Sequence, residues 1–267
     1  MDRTIVSRAG VGATARIIQR RQLLLPAVII EDPTLIVVRH GNKRLRWAGR
    51  ECLVEAGTAI AVAGGQTFDI LNTPDIDTNL YEAEWLVCDP AIVAGFADRN
   101  AAATPIQCVH ALSTFSLAFH EAFQHAQKGV FEEAHVPTKA AIARIVEMLA
   151  WLDQSGGYFR NPVSKSMSDR VRRVFGEDLS AKWLAPAVAK HLGVSEATLR
   201  RRLAVENTSF NSLLIDARMN RALTLLQVTD LPVTQIAFQI GYESASRFSA
   251  RFRARFGCSP SAVRSPE

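Results

Sequence analysis

Cysteine is scarce and scattered in this chain. Four among 267 residues, Cys52, Cys88, Cys108 and Cys258, form no CxxC pair and no zinc-ligand spacing. A disulfide scaffold and a structural zinc site are therefore not expected, and the thiols read as buried groups in a reducing cytoplasm. No apolar run approaches the roughly 20 residues that span a bilayer. The longest candidate, Leu23–Ile30, is short and carries Pro26. The N-terminus MDRTIVSRAG lacks a long apolar core after its charges, so no secretory leader is expected. Catalytic constellations are missing too. His120 and His125 resemble a zinc-protease pair only superficially: they lie five apart, about 500° around a helix, instead of four apart on one face. Gly10-Val11-Gly12 has neither a third glycine nor a preceding strand, and reads as a flexible N-terminal segment instead of a phosphate cradle. Asp75-Ile76-Asp77 reads as a solvated turn. With no closely spaced histidine pair beside an acid, no enzyme activity, metal, cofactor or membrane association is expected.

What is present is length for two ordinary domains and 48% hydrophobic residues to fill two cores. Charge divides the chain unevenly. Up to Ser164 there are 15 Lys and Arg against 17 Asp and Glu; from Lys165 onward there are 16 against 9. The formal net charge of +5 thus belongs to the C-terminal part, as expected of a polyanion-binding domain beside a neutral one.

From about Ala15 to Asp89, β-type runs alternate with turn clusters. Ala27–Ile30, Thr34–His40, Arg44–Trp47, Thr58–Ala63, Thr67–Leu71 and Leu80–Cys88 are separated by Asp32-Pro33, Gly41-Asn42, Gly64-Gly65 and Asn72-Thr73-Pro74. Short strands at this spacing predict a small β-barrel or a double-sheet roll. After residue 105 the period changes. Val109, Leu112, Phe115, Phe119 and Phe123 predict one helical stripe, and Ile142, Ile145, Val146, Leu149 and Leu152 a second, with Pro137 in its first turn and Gly156-Gly157 at its end. These helices either cap the open end of the β domain or also form a homodimer. The domain plan is therefore a β-rich sensing domain over 1–155, with a helical segment from 109 to 155, a Gly/Ser/Pro-rich linker over 156–167, and a basic domain over 168–267.

The basic domain repeats one pattern. Leu184–Leu203 and Val233–Phe252 each read as a helix, a glycine stop at Gly193 or Gly241, and an arginine-bearing second helix. Ser195, Ser209 and Ser244 are expected N-caps. In Ser195–Glu206, Leu199 and Leu203 face inward, leaving Glu196, Ala197, Arg200 and Arg201 outward. In Ser244–Phe256, Phe248, Phe252 and Phe256 face inward, leaving Ala245, Ser246, Arg247, Ser249 and Arg251 outward. Arg202, Arg253 and Arg255 are placed for phosphate or solvent. A helix divided this way fits the major groove of double-stranded DNA. The connecting helix, Ser209–Gln227, would be about 28 Å long, near the ~34 Å between successive major grooves on one face.

Leu184–Arg264 resembles the DNA-binding domain of the AraC/XylS family of bacterial transcription regulators. The resemblance rests on Ala189, Leu192, Gly193, Ser195 and Leu199, on Arg218, Arg221, Ala222, Leu225 and Leu226, and on Ile236-Ala237 and Gly241-Tyr242. It continues through Phe248-Ser249, Phe252, Phe256-Gly257, Ser259 and Pro260. It implies an α+β protein with an all-α C-terminal domain, two helix-turn-helix units joined by a long helix, and contact with RNA polymerase. It also implies base-reading positions at Ala197, Arg200 and Arg201, and at Ala245, Ser246, Ser249 and Ala250. One position departs from the pattern: Ala250 stands where an arginine is usual. Either Arg247 or Arg251 compensates, or the second unit mainly grips phosphate.

The upstream half matches the family in pattern alone, a β-rich domain followed by helices that responds to a small-molecule effector or to a regulatory protein. Candidate effector contacts are Arg39, Lys43, Arg44 and Arg46, flanking the turn at Gly41-Asn42, with Trp47, Phe68 and Trp85 as pocket aromatics. The basic residues equally suit a charged strand edge that resists aggregation. The expected function is a cytoplasmic, sequence-specific transcription activator controlled through its N-terminal domain. The rival is a ligand-binding or enzymatic β domain with an accessory basic module.

Overall fold

The computed structural model describes residues 5–97, 103–112, 116–160 and 166–264. The chain divides into two compact units, one running to Pro162 and the other spanning Val163–Arg264.

The first unit opens with nine strands: β1 (Val6–Arg8), β2 (Gly12–Gln19), β3 (Leu23–Ile30), β4 (Thr34–His40), β5 (Asn42–Trp47), β6 (Arg50–Glu55), β7 (Ala59–Val62), β8 (Gln66–Thr73) and β9 (Tyr81–Cys88). Helix α1 (Pro90–Ala97), strands β10 (Thr104–Pro105) and β11 (Val109–Leu112), helices α2 (Leu117–Phe131) and α3 (Thr138–Gln154), and strand β12 (Gly157–Tyr158) follow. The strands form an antiparallel sheet in the order β1-β2-β9-β4-β7-β11 and a second in the order β3-β8-β5-β6, while β10 and β12 make a two-residue parallel pair. This is a double-sheet roll, not a closed barrel.

The side-chain period of two explains how the larger sheet is covered. Along β4, Leu35 and Val37 join one buried cluster with Phe119, Phe123, Ile145 and Leu149 of α2 and α3, while Ile36 and Val38 are buried on the alternate face. The predicted helical stripes of α2 and α3 therefore pack on the sheet. Gly129 lets the two helices approach closely, since a Cβ there would stand 3.2 Å from Ala141 Cα. Buried Arg8 fastens β1 to the same corner, donating to the Gly129 carbonyl at 2.8 Å and to Thr138 Oγ1 at 3.0 Å.

Two expectations change. Val109–Leu112 is not helical: it pairs antiparallel with Ala59–Val62, filling the edge that β7 presents. The helix begins only after Ser116, whose side chain caps it, and Phe115 lies outside the described residues. Gly10-Val11-Gly12 is the β1–β2 turn, with Val11 fully buried. Gly12, at φ +146°, lies so close to β9 that an added Cβ would collide with the Val87 carbonyl oxygen. His120 on α2 reaches β4, its Nδ1 meeting Arg39 Nη1 at 2.8 Å. Asp75 does sit in a turn, where its Oδ1 accepts from Asp77 N, Thr78 N and Thr78 Oγ1. Those Thr78 bonds hold its pKa below the usual carboxylate value.

The second unit is helical: α4 (Met167–Glu177), α5 (Ala185–His191), α6 (Glu196–Val205), α7 (Phe210–Val228), α8 (Val233–Gln239), α9 (Ala245–Phe256) and α10 (Pro260–Val263). Part of the expected linker, residues 161–165, lies outside the described residues.

Candidate nucleic-acid interface

The two sequence repeats are repeats of hydrogen bonding. After α5, Gly193 at φ +69° lets Val194 N reach back to Ala189 O at 2.9 Å and Gly193 N to Lys190 O at 3.1 Å. After α8, Gly241 at φ +81° does the same, with Tyr242 N to Ala237 O at 2.9 Å and Gly241 N to Phe238 O at 3.0 Å. This left-handed stop satisfies carbonyls that the helix end would leave orphaned and turns the chain toward the next helix. Ser195, Ser209 and Ser244 then cap α6, α7 and α9, each accepting from the backbone N–H three residues on.

Each second helix splits into two faces. On α6, Leu199 and Leu203 are fully buried in a core with Val171, Phe175, Val188 and Leu213, while Ala197, Arg200, Arg201 and Arg202 are exposed and Glu196 is half-buried. Arg200 Nη2 meets Glu196 Oε1 at 2.5 Å. On α9, Phe248, Phe252 and Phe256 form a buried ladder with ring centroids 5.6 and 4.7 Å apart. Ser246, Arg247, Ala250 and Arg251 are exposed, and Ala245 and Ser249 half-buried. The residues expected to face DNA are thus exposed, except Glu196, Ala245 and Ser249, which are half-buried. Arg253 is also exposed.

Arg255 is the exception among the expected phosphate contacts. It is turned inward, with Nε 2.9 Å from Asp216 Oδ1 on α7, and serves as a clamp. Sequence reasoning gave no role to three residues that hold the units in place. Arg218 of α7 donates from Nε to Leu179 O at 3.1 Å and from Nη2 to Ala181 O at 3.0 Å, and its guanidinium lies over the Tyr242 ring at 5.9 Å. Asp216 receives Arg255. Glu206, at the C-terminal cap of α6, accepts from Met167 N at 2.6 Å and Ser168 N at 2.8 Å, and also from the Ser168 hydroxyl. Burial would raise the Glu206 pKa, but the bonds from Ser168 and Met167 outweigh it and hold the carboxyl below its ordinary value. The hydrogen bonds and the ion pair in these partnerships join residues 37 to 39 apart, and no local spacing signals them.

The proposed effector residues do not converge. Arg39 on β4 is bound to Glu84 at 2.7 Å, and Trp85 is on neighbouring β9 of the same sheet. Arg44 and Arg46 flank Glu51, at 3.4 and 2.6 Å, on the other sheet. Trp47 packs edge-on against buried Phe68, with centroids 5.6 Å apart. An open cleft of about 380 Å³ at this hairpin includes Arg46, Trp47, Arg50, Glu51 and Asp69. Lys43 instead points inward, 4% exposed. Its Nζ donates to Asn72 Oδ1 at 2.8 Å, Asn72 Nδ2 donates to Gln19 Oε1 at 2.8 Å, and the Tyr81 ring centroid lies 5.6 Å from Nζ. Lys43 and Asn72 are cross-strand partners on one sheet, and Gln19 and Tyr81 on the other, so two polar pairs bridge the roll. Burial lowers the Lys43 pKa to about 7 and raises that of the Tyr81 phenol. Among the described residues the Tyr81 hydroxyl and Gln19 Nε2 have no hydrogen-bond partner. Among the described residues, too, no cluster suited to a metal occurs, and no helix is long and apolar enough to cross a membrane.

Comparison with known proteins matches residues 188–265 to a family described as a helix-turn-helix domain. The HTH-type transcriptional activator CfaD of Escherichia coli is 43% identical over 93 residues, covering 35% of this chain and 35% of that protein. The DNA-binding dual transcriptional regulator Rns of Escherichia coli is 41% identical over the same length and shares. The chain thus matches about a third of the length of these curated relatives. A crystal structure of an apo, singly substituted ToxT from Vibrio cholerae strain SCE256 superposes with a TM-score of 0.69 at 12% identity, covering 96% of this chain and 97% of that one. Wild-type ToxT with an unsaturated fatty acid bound gives 0.67 at 10%, covering 98% and 99%. At such identity the likeness is one of fold, and it extends over both units. Together with the paired turns and the divided helices, the C-terminal match identifies residues 188–265 as a helix-turn-helix domain similar to those of these transcription regulators.

Proposed function

We propose that the protein is a cytoplasmic transcription activator that binds double-stranded DNA through α6 and α9 in two successive major grooves. The observation that carries this reading is the pair of helices with the same pattern of turn and cap hydrogen bonds, buried on one face and arginine-bearing on the other. The 19-residue helix α7 between them supports it. At 1.5 Å per residue α7 is about 28 Å long, close to the ~34 Å groove repeat. Contact with RNA polymerase, which activation of transcription requires, and dimerisation through α2 and α3 belong to the same proposal.

The first unit is the regulatory part of this reading, and its signal is a small molecule. Support comes from the interior of the roll, where Lys43 lacks a carboxylate partner and two polar atoms are unsatisfied among the described residues. It also comes from the fold shared with a protein whose structure holds an unsaturated fatty acid.

A duplex-binding titration over salt tests the DNA reading: log K should fall linearly with log salt, by about 0.9 for each phosphate contact. A flat titration overturns it. Arg200→Ala and Arg201→Ala should weaken a selected site by about 1–3 kcal/mol for a lost bidentate contact to guanine, with a smaller effect on random duplex. Native mass spectrometry of the purified protein tests the regulatory reading. A co-purifying small molecule that changes DNA affinity supports it, and a response to a protein partner alone refutes it.

A further inference from the structure

We propose that Glu196 is a specificity-determining residue of the first recognition helix, one carboxylate oxygen holding Arg200 while the other accepts a hydrogen bond from a cytosine amino group. The inference rests on the DNA-binding reading above and assigns a chemistry to one part of it.

Glu196 is in the first turn of α6, next to the capping Ser195, and Ala197 beside it adds little bulk. The N-terminal residues of a recognition helix are those that approach base edges. Arg200, one turn on, is 72% exposed yet bonded through Nη2 to Glu196 Oε1 at 2.5 Å. Oε1 is the carboxylate oxygen that Arg200 meets, and Glu196 keeps 35% of its side chain exposed. The pair therefore presents one acceptor and several guanidinium N–H groups side by side. Glutamate accepts from cytosine N4, and arginine donates to guanine O6 and N7. Tethering also orders the long arginine side chain before binding, which reduces the entropy cost of docking it.

A carboxylate on the groove-facing side is repelled by phosphate on any sequence. Only a donor from a base offsets that cost, so Glu196 weakens binding everywhere except at the matching base pair. α9 lacks this device. Its outward positions Ala245, Ser246, Arg247, Ser249, Ala250 and Arg251 include no acid, which suits it to gripping phosphate. The two units then divide the work, α6 reading sequence and α9 supplying affinity.

Selection of sites from a random-sequence duplex pool tests the assignment, using the full chain and its isosteric Glu196→Gln variant. The wild-type sites should carry a cytosine adjacent to a guanine in one of the two groove segments. In the Glu196→Gln sites that cytosine should be lost, with adenine favoured, because glutamine reads adenine N6 and N7. On random duplex the variant should bind about two- to tenfold more tightly, one negative charge having left the interface. A merely helix-stabilising ion pair would leave the base preference unchanged. Cytosine retained equally in both pools overturns the proposal even if DNA binding is intact. Loss of discrimination by Arg200→Ala, with no change in Glu196→Gln, confines readout to the arginine and also refutes the role of Glu196. Failure of the wild-type chain to enrich any sequence overturns the DNA reading itself. Unchanged circular dichroism of Glu196→Gln shows that the variant is folded.

Discussion

Replacing Glu206 by Gln should loosen α4 from the first helix-turn-helix unit. The carboxylate accepts from two backbone N–H groups at the start of α4 and from the Ser168 hydroxyl. It also meets the positive end of the helix dipole. A hydrogen bond to a charged group contributes roughly 1.5–3 kcal/mol, and loss of an N-terminal cap costs about 0.5–2 kcal/mol. Glu206 is only half-buried, so solvent screening reduces the first figure. Glutamine also keeps one acceptor oxygen. A loss of about 1–2 kcal/mol follows. Because the folded pKa is depressed, the carboxylate's contribution is fully present above the unfolded value near 4.3. It is lost as pH falls through the folded pKa. Hydrogen exchange of peptides covering 167–177, wild type against variant at matched pH, isolates α4 from the first unit. The variant should exchange about 5- to 30-fold faster at pH 7, the equivalent of 1–2 kcal/mol, and the gap should shrink below pH 4. Equal protection at pH 7, or a gap that widens in acid, refutes the reasoning.

Three further outcomes are expected. Phe123→Ala should destabilise the first unit by about 3–5 kcal/mol, measured by urea denaturation, because the ring is fully buried between α3 and the larger sheet. Gly241→Ala should destabilise the second unit by more than about 1 kcal/mol. Its Cβ would press on the Arg218 guanidinium and stand 2.9 Å from Leu179 O, at a φ of +81°; unchanged urea stability would contradict this. Lys43 is charged in the unfolded chain up to about pH 10.4 but in the fold only to about 7. The first unit should therefore gain stability between pH 7 and 10, where the unfolded chain binds more protons, and Lys43→Met should flatten that rise in urea melts taken across the range.

The parts of the fold legible in the sequence are those set by periodicity and local turn chemistry. Thr34–His40 is a strand with the very bounds its β-branched run implies, and the phenylalanine ladder of α9 and the three serine caps are where spacing puts them. What escaped was decided by distant partners or masked by composition. β6 is a charged edge, with Glu51, Arg50 and Glu55 exposed, so its sequence RECLVE carries little strand signal. Pro26 hid the first half of β3, which survives because a bulge between Leu25 and Val28 accommodates it. Val109 and Leu112 suit a helix by spacing alone, but the unfilled edge of β7 recruits them. The same holds at the candidate sites. Arg200 and Arg201 are exposed as their helix period demands, whereas Lys43, flanked by Asn42 and Arg44 in a polar stretch, turns inward because the strand period places it beside buried Leu45.

The two helix-turn-helix units share a turn and a cap but not a fastening. The first is latched through Glu206 to α4 and through Arg170, whose Nη2 donates to Leu192 O at 3.0 Å, so both of its helices end on α4. The second is fastened to α7 by Arg218 against Tyr242 and by Arg255 on Asp216. α4 directly follows the stretch that joins this unit to the β-rich one, whereas α7 lies wholly inside the helical unit. α4 in turn packs on α7, the Phe175 and Phe210 ring centroids lying 5.3 Å apart in a core that also holds Val171 and Leu213. The two fastenings therefore meet in one core, and the unit whose outward face carries the Glu196–Arg200 pair differs from the unit whose outward face carries no acid in what holds it, while both rest on the same pair of helices.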